Sequence, residues 1–386
     1  MRHAAPPEAP IPMGFAIDTL SSGGAQRQLV ELAVALTRRG RFAPCVFVYY
    51  DHDFFAPRLR DAEVPLVRIP RAGARDLRFP LRFAAALRER DVQIVHAFLF
   101  NAAFWAWLAT RTLGARRPAL VPAQRDSFVA RTRREKWLQR LVYRTSDCVT
   151  ANAEPIAEKL VAEIGLARDH VQYLPNGIDL AAWDAASAGP CPLALEPNRF
   201  HIGLIGGLRR QKNHALLFRA LQRVPEAVRR EWRVWCVGDE SSGSEAARRI
   251  RAELAASGLG DIVRIEPAIP NVAALFARLS AIVLTSTHEG FPNVLLEAQA
   301  SRLPVISTRV GDVANLVEPG GSGFLTGFDA DEIAAALVRL AGDPPLRSAL
   351  GARGRAIVEA RYAMERVAEL HEAFYARVLA ARGARA

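Results

Sequence analysis

Apolar residues along this chain alternate between short continuous runs and helical spacing, and the whole alternation occurs twice. Residues 11–17 form the first run, and Ser21-Ser22-Gly23-Gly24 interrupts it. Leu29, Leu32, Ala33 and Leu36 then share one helical face that Gly40 closes as a C-cap. Further runs at 45–50, 65–69, 93–97 and 119–122 predict buried strands, with a helix around 81–90. After a weakly periodic stretch at 182–198 the pattern restarts. A strand at 200–205, Gly206-Gly207 and a helix from about His214 come first, followed by strands at 233–237, 263–266, 281–284 and 305–307. Strands separated by helices of ten or more residues predict parallel βαβ units. The expected fold class is therefore α/β, with two doubly wound parallel sheets: residues 1–185, a linker at 186–198, and residues 199–361. A closing segment, 362–386, is an amphipathic helix carrying Tyr362, Met364, Val367, Leu370, Phe374 and Tyr375. Ligands of open α/β sheets sit beyond the carboxyl ends of the strands, so two such domains are expected to face each other across a cleft.

The loop after the run 281–284 carries the clearest chemistry. Ser286-Thr287-His288-Glu289-Gly290-Phe291-Pro292-Asn293-Val294-Leu295-Leu296-Glu297-Ala298 places two carboxylates, a glycine and a helix start directly after a strand. Gly290 permits a turn other residues resist, and Pro292 suits the first helical position, so a helix is expected from about Phe291. Its free N–H groups and positive dipole end would hold an anion such as phosphate at the sheet edge. Glu297 lies one turn past Asn293, about 6 Å of rise, where it can meet ligand hydroxyls. Glu289, in the loop, faces the ligand's other side. The plainer reading of these residues is an acidic, solvent-facing helix after an ordinary loop.

The Glu-x7-Glu spacing, Glu289 to Glu297, inside Glu-Gly-Phe-Pro-Asn-Val-Leu-Leu-Glu-Ala resembles the donor-site signature of retaining glycosyltransferases with the GT-B fold, the group 1 family (family 4). The resemblance implies two Rossmann-like domains, the first on the acceptor side and the second binding a nucleotide sugar, with the last helix crossing back onto the first. It implies that Glu297 binds ribose hydroxyls and that Glu289 contacts the sugar. It also implies that the backbone through Gly290, Phe291, Pro292, Asn293 and Val294 meets sugar or diphosphate.

Three more stretches join this reading. Ser22-Gly23-Gly24-Ala25 precedes a helix, and Gly23 and Gly24 let backbone N–H groups approach an anion closely. With Gln26-Arg27-Gln28-Leu29 it is similar to the family's first loop, which faces the donor diphosphate and the acceptor. Gly203-Leu204-Ile205-Gly206-Gly207-Leu208-Arg209-Arg210-Gln211-Lys212-Asn213-His214 offers Lys212, whose compact ammonium would neutralise a departing diphosphate. Many relatives carry an arginine where this chain has Gly207. Either Arg209 or Arg210 substitutes, or Lys212 works with backbone amides alone. His96 closes the run Val92-Gln93-Ile94-Val95-His96, where the family often has a histidine near the reacting sugar. A lone histidine at a strand end is more often structural. His96, Lys212 and Glu289 are thus the catalytic candidates. Asn176-Gly177-Ile178-Asp179 is also typical of the family and reads equally as a hinge.

No His/Cys cluster has metal-ligand spacing, so the expected donor site uses no metal and no cofactor beyond the nucleotide sugar itself. The resemblance implies retention, with the leaving phosphate assisting deprotonation of the acceptor hydroxyl. Double displacement through Glu289 is the chemical alternative. At the level of function the alternatives are a nucleotide-sugar epimerase or non-catalytic binder of the same fold, then, more distantly, a basic nucleic-acid-binding protein. The four cysteines are scattered, which points to a reducing, cytoplasmic setting.

The net charge of +11 concentrates between residues 111 and 144. Arg111, Arg116, Arg117, Arg125, Arg131, Arg133, Arg134, Lys136, Arg140 and Arg144 stand there against Asp126 and Glu135, interleaved with Trp137, Leu138, Leu141, Val142 and Tyr143. Such a helix suits an anionic membrane face, and a lipid-linked or other glycan acceptor would fit that location. Heavy use of Arg over Lys throughout supports the blander reading, a generally arginine-rich surface. No module or aromatic pattern for nucleic acid accompanies the charge, so no nucleic-acid partner is expected. The apolar stretch 97–109 is too short to cross a bilayer and is broken by Asn101. Surface-polysaccharide or lipopolysaccharide assembly is what the family implies.

Overall fold

The computed structural model describes residues 9–73, 76–125, 132–239 and 244–384. The chain divides into two compact units, the first formed by residues 1–177 and 364–386 and the second by residues 178–363.

In the first unit seven parallel strands, β1 (Ile11–Ala16), β2 (Phe42–Val48), β3 (Leu66–Arg68), β4 (Ile94–Phe98), β5 (Ala119–Gln124), β6 (Val149–Ala151) and β7 (Val171–Tyr173), lie in the order β3-β2-β1-β4-β5-β6-β7. Every residue of β4 and β5 is buried, as expected where helices cover both faces of a parallel sheet. The helix Gly24–Arg39 buries Leu29, Leu32, Ala33 and Leu36 and ends at Gly40, whose φ of 74° lets its N–H reach the carbonyls of Leu36 and Thr37. The helix Met364–Gly383 belongs to this unit and packs on Gly24–Arg39, with Tyr375 fully buried against Phe42.

The second unit repeats the plan with six parallel strands. These are β8 (Phe200–Ile205), β9 (Trp232–Val237), β10 (Val263–Glu266), β11 (Ala281–Leu284), β12 (Val305–Thr308) and β13 (Gly323–Thr326), ordered β10-β9-β8-β11-β12-β13. In both sheets the order of strand addition reverses once, between β1 and β4 and between β8 and β11. The crevice outside the carboxyl ends of the strands at such a switch point is where α/β sheets hold ligands.

The boundary between units falls at Gly177, ahead of the expected 185, and the anticipated linker at 186–198 lies inside the second unit. Local chemistry accounts for the difference. Asp179 accepts from the Ala182 N–H and caps a helix, Leu180–Ser187. Trp183 of that helix donates to Ser301 and packs edge-on against Phe276, while Asp184 takes both terminal nitrogens of Arg355 at 2.7 and 2.8 Å. Among the described residues no helix is long and apolar enough to cross a membrane. The apolar stretch after β4 forms the helix Phe100–Arg111, whose alanines are buried.

Candidate active site

At the second unit's switch point, the loop after β8 and the loop after β11 are stitched together. Thr287 N–H donates to Gln211 O at 2.8 Å, Gln211 Nε2 to His288 O at 2.6 Å, and Thr285 Oγ1 to Lys212 O at 2.7 Å. Within this frame Lys212 Nζ lies 2.8 Å from Glu289 Oε1, the two side chains being 16% and 11% exposed. Ser286 Oγ donates to the same carboxylate oxygen at 2.7 Å. Lys212 is one of only three lysines, with Lys136 and Lys159, in a chain whose other cations are arginines. Its alkyl stem runs over Gly206, where a Cβ would stand 2.8 Å from Lys212 Cε, so the glycine makes room for the ammonium. Gly238 serves the same loop: a side chain there would run into the Gly206 carbonyl.

The helix expected from Phe291 begins two residues later, spanning Asn293–Ala300 with Pro292 as its N-cap. Phe291 is buried against Tyr362, with ring centroids 5.8 Å apart, so its side chain is a core anchor that orients the helix mouth. Gly290 O accepts from Asp312 N–H at 3.0 Å. Every residue from Val294 to Ala300 is buried, Glu297 among them at 9% exposure. The solvent-facing helix reading is thereby excluded. A carboxylate is held in an apolar element, a costly placement that calls for polar partners.

Arg209 Nε comes within 3.4 Å of where a Gly207 side chain would begin. His214, first residue of the next helix, is buried with neither ring nitrogen bonded among the described residues, and burial pushes its pKa down to about 4 with Lys212 adding to the effect.

Two family models match: Glycosyltransferase Family 4 over residues 22–182 and Glycosyl transferases group 1 over residues 199–343. Together they take in most of both units. The chain belongs to the group 1 (family 4) glycosyltransferases. It is 31% identical over 208 residues to the lipopolysaccharide core biosynthesis mannosyltransferase LpcC of Rhizobium leguminosarum, covering 52% of this chain and 58% of that protein. It is 32% identical over 220 residues to the D-inositol 3-phosphate glycosyltransferase of Streptosporangium roseum, covering 55% and 51%. The chain spans about half the length of the curated relatives it matches. Among solved structures, HepE of Anabaena in complex with UDP superposes with a TM-score of 0.79 at 18% identity, over 95% of this chain and 100% of that one. A glycosyltransferase of Rickettsia africae superposes at 0.83 with 17% identity, over 96% and 99%. These likenesses are of fold, and the fold is GT-B.

In this group 1 glycosyltransferase the remaining candidates lie in the first unit. Gly23 is the N-cap and Gly24 the first residue of the helix Gly24–Arg39, after β1 at that unit's switch point. His96 requires a correction. It is the third residue of β4, with no exposed surface. Nδ1 lies 2.7 Å from Tyr375 Oη and Nε2 2.9 Å from Thr150 Oγ1, within a cage of Phe15, Phe98, His371 and Tyr375. Burial holds its pKa well below the usual imidazole range, with the neighbouring His371 and the Arg125 guanidinium adding to the effect. Both nitrogens are occupied and no face meets solvent, so His96 is a core histidine.

The chain also contains two Asp-x-Asp stretches, Asp51-His52-Asp53 and Asp329-Ala330-Asp331, a pattern that can hold a metal-bound diphosphate. Asp53 pairs with Arg68 at 2.7 Å, Asp329 caps the helix Ala330–Gly342, and Asp331 pairs with Arg223 at 3.3 Å. Among the described residues no group of three or more His, Cys, Asp or Glu is arranged to hold a metal.

The basic stretch 111–144 is not one surface. Asp126 and Arg131 lie outside the described residues. Arg117 clasps Asp147 through both terminal nitrogens, Arg140 donates to the carbonyls of Glu163 and Ile164, and Arg144 to that of Gly165. Arg125 is partly buried. What faces outward is the helix Arg133–Arg144, opened by a Thr132–Glu135 capping box, with Trp137 64% exposed. Arg133, Lys136, Trp137 and Arg140 line a cavity of about 240 Å³ with Glu163 and Ile164.

Proposed function

We propose that this protein transfers a sugar from a nucleotide-diphosphate donor to a hydroxyl of a glycan or lipid-linked acceptor, with retention of configuration and without a divalent ion. The observation that carries the reading is the Lys212–Glu289 pair, 2.8 Å long, at the switch point that also launches the Glu297 helix. On this reading an incoming diphosphate replaces Glu289 as the partner of Lys212, and the ammonium stabilises the charge that builds on the leaving phosphate. The released Glu289 carboxylate accepts from a sugar hydroxyl and Glu297 from the ribose. Arg209, alongside Gly207, supplies the guanidinium that relatives carry at that position. The leaving phosphate takes the acceptor proton on the same face, which gives retention.

Support for the ligand classes comes from what the similar proteins are: HepE is solved with UDP and with UDP-glucose, and WaaB is a lipopolysaccharide outer core galactosyltransferase. The outward face of the helix Arg133–Arg144, with Trp137 between Arg133, Lys136 and Arg140, favours peripheral contact with an anionic leaflet. The test is incubation with UDP-, GDP- and ADP-sugars, with and without membrane lipid extract and EDTA, reading free nucleotide. Release that rises with acceptor and survives EDTA is expected. Isomerised donor with no release would replace the transferase by an epimerase, and binding with neither would leave a sugar-nucleotide binder.

A further inference from the structure

One half-buried cation in the first unit has no part in this scheme. Arg125 follows β5 directly, at the carboxyl edge of the sheet. Its guanidinium carbon stands 4.3 Å from the centre of the Phe98 ring, and Nη2 donates to Asn176 Oδ1. Among the described residues it makes no ion pair. Burial pushes its pKa down to about 9, as expected for a guanidinium taken from water without a counter-charge. The polar groups nearby do not supply one: His371 is held neutral by burial, its pKa pushed down to about 4, with Arg125 contributing, and Tyr375 by burial of its phenol.

Two asparagines complete the arrangement. Asn152 and Asn176, 4% and 3% exposed, follow β6 and β7 on the same edge. Asn152 Nδ2 donates to Asn176 Oδ1 at 3.4 Å, while Asn152 Oδ1 is buried with no partner among the described residues. Asn176 is fixed from behind, since Gln28 bonds the N–H and the C=O of Gly177 at 2.9 Å each. An unpaired guanidinium presents several N–H donors in a fork suited to phosphate or carboxylate, and an orphaned amide oxygen needs a hydroxyl donor. The two requirements describe one ligand chemistry, an anionic group with a hydroxyl beside it.

We propose that Arg125, Asn152 and Asn176 form a second ligand subsite, on the carboxyl edge of the first sheet, that takes a hydroxyl-bearing anionic group of the acceptor. The word acceptor rests on the transferase reading and on the donor residues Lys212, Glu289 and Glu297 all belonging to the second unit. Anion binding itself does not depend on that reading.

The full-length protein is titrated calorimetrically with inorganic phosphate and with glycerol 3-phosphate. Both should bind the wild type and Lys212→Ala alike, at least about tenfold more weakly in Arg125→Gln, with most of the affinity regained in Arg125→Lys. Asn152→Ala should erase the preference for glycerol 3-phosphate over phosphate, and this variant carries the test if Arg125→Gln does not fold. Unchanged phosphate affinity in folded Arg125→Gln, or its loss in Lys212→Ala, overturns the subsite. Micromolar UDP displacing phosphate from the Arg125-dependent site gives the anion to the donor and overturns the acceptor assignment. The transferase reading fails separately, on absent nucleotide release with phosphate binding intact.

Discussion

Lys212 and Arg125 each lie beyond the carboxyl end of a parallel strand, β8 at the second unit's switch point and β5 one strand removed from the first unit's, yet they are held in opposite ways. Lys212 has its counter-charge built in, a carboxylate at 2.8 Å that is itself steadied by Ser286. Arg125 has only an aromatic face and a neutral amide. An anion arriving at Lys212 must therefore compete with Glu289, and the gain is the difference between two ion pairs. At Arg125 the ligand supplies the first counter-charge, so nothing charged has to be displaced. On the proposed reading the pair in the second unit is an exchange device, whereas the first unit's cation is a receptor.

The sharpest way to break this contrast is to remove one side of it. Lys212→Ala and Glu297→Ala should each lower acceptor-stimulated nucleotide release on the order of 100- to 1,000-fold, with phosphate titration at Arg125 unchanged. Equal loss of both readouts would merge the two sites. Next in size is Gly311→Ala. Gly311 has φ of +53°, and a Cβ there would sit 2.6 Å from the Glu289 carbonyl, displacing the loop that presents this carboxylate. A misplacement near 1 Å costs roughly 100-fold in turnover, and a crystal structure of the variant would show the shift. His96→Leu should cost about 2–4 kcal/mol in chemical denaturation, because Tyr375 Oη and Thr150 Oγ1 lose their partner. Turnover per folded molecule should change little; a 100-fold fall would return His96 to the site.

Acid gives a smaller, graded effect. His214 and His371 have folded-state pKa values near 4, below the ordinary unfolded value of 6.5. Their neutral forms contribute stability fully above pH 6.5, and that contribution is lost as pH falls toward 4. Each should remove up to about 1.4 kcal/mol per pH unit within that window, readable as a falling urea midpoint. His214→Leu should flatten the curve. Least of all, Trp137→Ser should weaken sedimentation with anionic vesicles by about tenfold or less and leave soluble-acceptor turnover alone.

Much of this was legible in the chain because it is local. The Glu289 loop, the Glu297 helix and the Gly206–Lys212 turn each follow directly on the strand that positions them, so spacing alone placed them. The three-residue strands β6 and β7 and the four-residue β13 were missed, since so few residues show no period of two and their pairing is set by neighbours far along the chain. Asp179 capping Leu180–Ser187 was hidden among alanines that read as linker. Arg125 was counted with the surface arginines because its burial depends on Phe98 and Asn176, remote in sequence. His96 was misplaced for the converse reason: its position in the strand was readable, but the tyrosine that closes over it comes from the last helix.

The manner in which the chain leaves and re-enters its first unit has a practical consequence. Ile178 and Ala363, the ends of the second unit, are bridged to each other, with Ile178 N–H donating to Tyr362 O at 2.9 Å. On the first unit's side Gly177 lies so close to Met364 that a side chain on the glycine would meet the Met364 Cα at 3.2 Å. The second unit is thus a cassette whose two ends already touch, inserted into a host whose own cut ends also touch. A gene with codons 178–363 excised and a seam of one or two glycines should encode a free-standing host protein. The cassette, expressed alone, should keep its own sheet.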